Sequence, residues 1–104
     1  MTTSAVLLPN ATATGASTSV NSFPATGATF QASGTTSAGA GAATIKIQVS
    51  NDNSNWLDLG TITLTLGTAA TSDGFASYAA WAYVRANVTA ISGTNASVTV
   101  TLAG

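Results

Sequence analysis

Thr44–Leu66, TIKIQVSNDNSNWLDLGTITLTL, decides the fold. Ile45, Ile47 and Val49 alternate with Lys46, Gln48 and Ser50, and a period of two puts three β-branched side chains on one face of a strand. Asn51–Asn55 has no apolar side chain, and Asn, Asp and Ser bond their own backbone and tolerate turn dihedrals, so the chain reverses there. Trp56 then opens the return strand as a packing residue. In that strand Leu57 and Leu59 are odd-numbered whereas Ile62, Leu64 and Leu66 are even-numbered, so the apolar set changes parity at Gly60. A bulge at Gly60 turns both halves toward the core, because one extra residue shifts which side chains point inward.

C-terminal to this hairpin, Gly67–Gly74 is a turn-rich connection, and Phe75 and Tyr78 return the chain to the core. Trp81–Ile91 reads as a long strand with Val84 and Val88 on one face and Tyr83, Arg85, Asn87 and Thr89 on the other. Ser92–Asn95 turns, and the last strand directs Val98, Val100 and Leu102 inward with Thr99 and Thr101 outward. N-terminal to the hairpin, residues 1–43 are rich in Thr, Ser, Ala and Gly. Ser4–Leu8 is a first strand stopping at Pro9, Thr26–Ser33 is a later one, and Gly34–Ala43, GTTSAGAGAA, is a loop. Short strands at regular turn spacing, with no apolar repeat at three and four residues, predict an all-β, single-domain β-sandwich or jelly roll. The sparse, partly extended segment 1–43 belongs to the same domain as the dense half, 44–104.

Composition narrows the chemistry. Among 104 residues there is no Cys and no His, so disulfides, thiolate metal sites and a His-activated Ser or Thr nucleophile are all absent. No Ser-x-x-Lys motif or Gly-rich phosphate loop occurs, and no cofactor is expected. Charged residues make up 5% of the chain, against about 25% in ordinary soluble domains, so Thr, Ser, Asn and Ala must cover the solvent face. Two cations are too few for a phosphate backbone, which argues against nucleic acid. No apolar run reaches the roughly 18 residues of a membrane span, and MTTSAVLLPNATATG lacks the basic start of a secretory signal. The triplets Asn10-Ala11-Thr12, Asn87-Val88-Thr89 and Asn95-Ala96-Ser97 match the glycosylation pattern but arise by chance in so Thr- and Ser-rich a chain. A net charge of −1 gives copies little mutual repulsion, which favours assembly.

Val49-Ser50-Asn51-Asp52 followed by Trp56, together with Ala82-Tyr83-Val84-Arg85-Ala86-Asn87-Val88, resembles the paired signatures of discoidin-like, galactose-binding-like β-sandwiches. The resemblance covers residues 44–104; Ala82 stands where that family often has an Arg, and no ligand-binding loop matches residue by residue. With its Thr/Ser/Ala-rich composition, the chain also looks like the small structural proteins of tailed-phage virions, especially head decoration or cement proteins. That resemblance implies a non-enzymatic virion protein, made in the host cytoplasm and placed on the particle surface. Its partners would be itself, as a homotrimer or other small oligomer, and the major capsid protein or other virion proteins. The sparse N-terminal segment would add contacts to shell neighbours through main-chain pairing. A carbohydrate-binding module on a virion or fibre is the alternative, with a tail or neck protein as a third.

Two groups of residues are candidates. Trp81, Tyr83, Arg85 and Asn87 form an interface or ligand face, in which Arg85 is an interfacial anchor or a ligand clamp and, compatibly with either, pairs with Asp58 or Asp73 on neighbouring strands. Trp56, Tyr78, Trp81 and Tyr83 would make the stacking platform of the carbohydrate alternative. Asp52, Asn53, Asn55 and Asp58 read as a hairpin turn, with oxygen ligation of calcium as the alternative; the glutamate and central glycine of a helix-loop-helix calcium site are missing.

Overall fold

The computed structural model describes residues 4–17, 20–21, 28–77 and 81–103. Nine strands run in chain order: β1 (Ser4–Ala11), β2 (Gly15–Ala16), β3 (Val20–Asn21), β4 (Ala28–Thr35), β5 (Ala38–Ser50), β6 (Leu57–Leu66), β7 (Thr71–Ser77), β8 (Tyr83–Thr94) and β9 (Ser97–Ala103). No helix occurs among the described residues. One sheet has the order β1-β9-β4-β7, and the other β2-β8-β5-β6 with β3 also on β8. Every pairing is antiparallel.

The pairings are nested about the Asn51–Asn55 turn. β5 pairs with β6, β4 with β7, β2 and β3 with β8, and β1 with β9. This is one long two-stranded ribbon, rolled so that β9 also meets β4 and β8 also meets β5. β2 and β3 act as one interrupted strand. Between them Ser17 keeps contact with β8, its N–H donating to the Ala86 carbonyl at 2.7 Å and its Oγ accepting from the Ala86 N–H at 2.9 Å. Counted so, eight strands in two sheets form a jelly roll.

The core lies between the sheets. Ile45, Ile47, Val49, Ile62, Leu64, Leu66, Val84, Ala86 and Val88 face Leu7, Phe30, Ala32, Val98 and Val100 across it, all buried. Phe30 and Phe75 meet with ring centroids 5.3 Å apart. The predicted bulge is present: Ile47 pairs with Gly60 and Gln48 with Asp58, leaving Leu59 as the extra residue, packed half-buried against the core. Leu57, expected to follow it inward, is instead 58% exposed near the end of an edge strand.

Four segments differ from the sequence reading, the first being Ser92–Asn95, where β8 runs on to Thr94 and only Asn95 is left to turn. Pro9 does not end β1, because β1 is an edge strand whose register shifts between Leu8 and Ala11, where a missing N–H is tolerated. Gly34–Ala43 is not a loop: β4 runs to Thr35 and β5 starts at Ala38. Its glycines serve close packing, since a Cβ on Gly34 would lie 2.7 Å from Leu66 Cδ2 and one on Gly41 would collide with the Ser92 carbonyl oxygen. Thr71–Gly74 is likewise strand, paired with Gly34 through Gln31, which confines the preceding turn to residues 67–70. Of the expected strand Thr26–Ser33, residues 26 and 27 lie outside the described residues.

Gly41→Ala is expected to lower stability by about 1–3 kcal/mol, the usual cost of forcing atoms into filled space. Gly67→Ala, where a Cβ meets nothing within 4 Å, is expected to be neutral or stabilising by up to about 1 kcal/mol. Urea denaturation of both variants checks the pair; equal effects would mean that close packing is not why glycine stands at Gly41.

Candidate functional site

The ribbon's closed end and the outer face of the β8–β5–β6 sheet hold most of the polar chemistry. At the closed end, Ser50 is buried, and its Oγ accepts from the N–H groups of Asp52 (3.1 Å) and Asn53 (3.0 Å) while donating to Asp52 Oδ1 (2.8 Å). The same Oδ1 accepts from the N–H groups of Ser54 (2.9 Å) and Asn55 (2.8 Å), and Oδ2 accepts from Asn55 Nδ2 (2.8 Å). Asn53 adopts φ 60°, a left-handed conformation that Asn tolerates better than most residues. These donors, the Asn55 N–H first, hold the Asp52 carboxyl far below the usual carboxylate range. The sequence folds this way because Asx and Ser side chains can replace the backbone partners that a turn lacks.

Asp58 belongs to a different set. Its Oδ1 accepts from Gln48 Nε2 at 2.9 Å and its Oδ2 from Lys46 Nζ at 3.2 Å, and these bonds, Gln48 first, lower its pKa. The four residues of the calcium alternative are thus split between the turn and the sheet face. Among the described residues no group of three or more His, Cys, Asp or Glu side chains comes together.

Registry extends the sheet-face set across three strands. Gln48 lies opposite Asp58 on β6 and Arg85 on β8. With Gln48 Nε2 turned to Asp58, its Oε1 accepts from Arg85 Nε at 2.8 Å. The Arg85 guanidinium carbon sits 4.3 Å from the Trp56 ring centroid, a cation–π contact. Lys46, Asp58, Gln48 and Arg85 therefore form one continuous ladder, with Trp56 against its last member. Tyr83 and Asn87 flank Arg85 on β8, both half-buried, paired with Ser50 and Lys46 of β5.

Arg85 does not make the direct ion pair expected with Asp58 or Asp73: Gln48 stands between it and Asp58, and Asp73 lies on β7 in the other sheet. Trp56, expected as a packing residue, is half-buried outside the core and packs against Arg85. Trp81 precedes β8 and packs against the core, so it does not share the outer face of Tyr83. Its buried Nε1 has no partner among the described residues. Tyr78 lies outside the described residues. Sequence reasoning grouped Tyr83, Arg85 and Asn87 on one strand face but did not name Gln48 and Lys46 as their neighbours. The signal was present in the even-numbered polar residues of β5, but the bulge that sets Gln48 opposite Asp58 fixes the partner.

The fold is similar to that of the PBSX exported protein XepA, whose crystal structure aligns with a TM-score of 0.60 at 13% identity. The alignment covers 97% of this chain and 36% of that one, so the chain spans about a third of that protein's length. No family model matches the sequence, and no curated protein matches it. No comparison shows the discoidin-like signature.

Asp52 and Asp58 both have folded-state pKa values below their unfolded ones. Their contribution to stability is complete above the unfolded value of about 4 and is lost as pH falls through the folded values. The urea midpoint of the wild type should therefore drop on acidification below about pH 4. Asp52→Asn, which keeps the shape and removes the titrating group, should flatten that drop; an unchanged acid profile would remove Asp52 as its source.

Proposed function

We propose that the protein is a non-enzymatic structural component of a phage virion that decorates or cements the capsid. It would do so by self-association and by contacts to neighbouring shell subunits. The observation that carries this reading is the concentration of Lys46, Asp58 and Arg85, three of the five charged side chains, on one outer face with Tyr83 and Trp56. The outer face of the other sheet carries no charge along β4 and β9, where Thr29, Gln31, Ser33, Thr99 and Thr101 lie. Aromatic residues and Arg are enriched in the anchoring centres of protein interfaces, and Thr and Ser are not. The likeness in fold to XepA, a phage-related exported protein, supports the virion setting. A protein that binds only the assembled shell stabilises it by mass action and needs no catalytic group.

Purified protein mixed with undecorated phage heads is expected to sediment with them and saturate at a fixed ratio. Tyr83→Ala combined with Asn87→Ala should weaken that binding by about tenfold or more, and Thr101→Ala on the opposite face should leave it unchanged. Protein that stays in the supernatant at every ratio overturns the reading; a specific glycan-array signal from the same sample would favour the carbohydrate-binding alternative.

A further inference from the structure

Lys46 and Asp58 neutralise each other, and the carboxylate of Asp52 is spent on its own turn. That leaves one cation and one carboxylate without an opposite charge among the described residues. The cation is Arg85, whose bonded neighbour is the neutral Gln48 and whose flat side lies against Trp56. The carboxylate is Asp73, on the exposed edge strand β7, where its Oδ1 accepts from the N–H of Gly74 at 2.8 Å. They lie on different sheets, so the chain cannot bring them together itself.

The surroundings of the two match as well as the charges. Asp73 borders a shallow groove of about 410 Å³ along β4 and β7, with Gln31, Ser72, Gly74 and the Phe75 ring among its walls. Arg85 presents a planar guanidinium whose direction is set twice, by Gln48 and by Trp56, so little freedom is left to lose when its remaining donors meet a carboxylate. Its fork of N–H groups suits a carboxylate in a bidentate arrangement. We propose that the occupant of the Arg85 face is a second copy of this chain, whose Asp73 groove receives Arg85 in a head-to-tail contact.

Such a contact joins two different patches. It leaves Arg85 free on one terminal copy and Asp73 on the other, so it closes into a ring when the rotation allows and extends into a fibre when it does not. The inference rests on the assembly reading above and names the partner for one part of that face. Binding to heads was assigned there to Tyr83 and Asn87, so the two tests fail separately.

The test is the mass of the purified full chain by light scattering across a concentration series, at low and at high salt. The wild type should oligomerise, and salt should weaken the association because the pair is exposed. Arg85→Asp and Asp73→Arg, each alone, should raise the dissociation constant by about tenfold or more. An equimolar mixture of the two variants should associate again where each variant alone does not, since every contact between unlike copies joins opposite charges. That recovery also demonstrates that both variants fold. A wild type that is monomeric throughout, a single variant that keeps the wild-type mass, or a mixture that fails to associate overturns the proposal. Oligomers that survive both substitutions while wild-type protein still saturates heads would overturn this contact alone and leave the virion role standing.

Discussion

Strand β5 has a partner on each edge along most of its length, and the whole roll depends on this. Its inward residues Ile45, Ile47 and Val49 are at most 1% exposed, with β6 on one side and β8 on the other. Fully burying one such side chain is worth about 1.5–3 kcal/mol, so these three positions supply a large part of what a small domain can draw on. The nested ribbon follows from the same strand. Once β5 and β6 close at Asn51–Asn55, each further pairing, β4 with β7 and then β8 with its outer partners, adds strands to a surface already formed. The most local contact is therefore the innermost, and the pairing most remote in sequence, β1 with β9, is added at the outside.

The second constraint is the scarcity of charge. A neutral Thr- and Ser-covered surface keeps the strands' period-two pattern, because Thr is β-branched and fits a pleated face while its hydroxyl meets water. The ladder Lys46–Asp58–Gln48–Arg85 shows how few groups can orient one another. Lys46 and Asp58 are each more than a third exposed, so solvent weakens their pair, and its effect lies in fixing the Gln48 amide rather than in stability.

Much of this was legible in the sequence. Alternation in residues 44–66 gave both strands of the hairpin, the parity change gave the bulge, and the Asn- and Asp-rich turn gave its own closure. What failed did so where one residue type serves two ends. Glycine in Gly34–Ala43 looked like flexibility and is instead the space that Leu66 and the Ser92 backbone occupy, a tertiary reason that no local pattern carries. Trp56 was read as a packing residue, and it packs under Arg85 just ahead of β6; which partner it would meet depends on a turn whose exact geometry the sequence does not specify. On the candidate face, strand parity was enough to group Tyr83, Arg85 and Asn87. It was not enough to find Gln48, whose partners are set by the register of three strands and one bulge.

The edges of the two sheets bear on how such a chain can associate. Free strand edges invite main-chain pairing between copies, and each edge here is interrupted. β1 carries Pro9 and two register shifts, β6 carries the bulge at Leu59, β7 carries the charge of Asp73, and the edge opposite β6 is broken into β2 and β3. Strand addition, the mechanism suggested by a sparse and extended N-terminal segment, would have to overcome one of these interruptions. Contact through side chains on a sheet face meets no such obstacle, and the β8–β5–β6 face already holds its arginine in a fixed direction. An assembly built on faces rather than edges would also keep a nearly uncharged β protein from aggregating, since its specificity would lie in a few oriented groups instead of in a backbone that any strand can match.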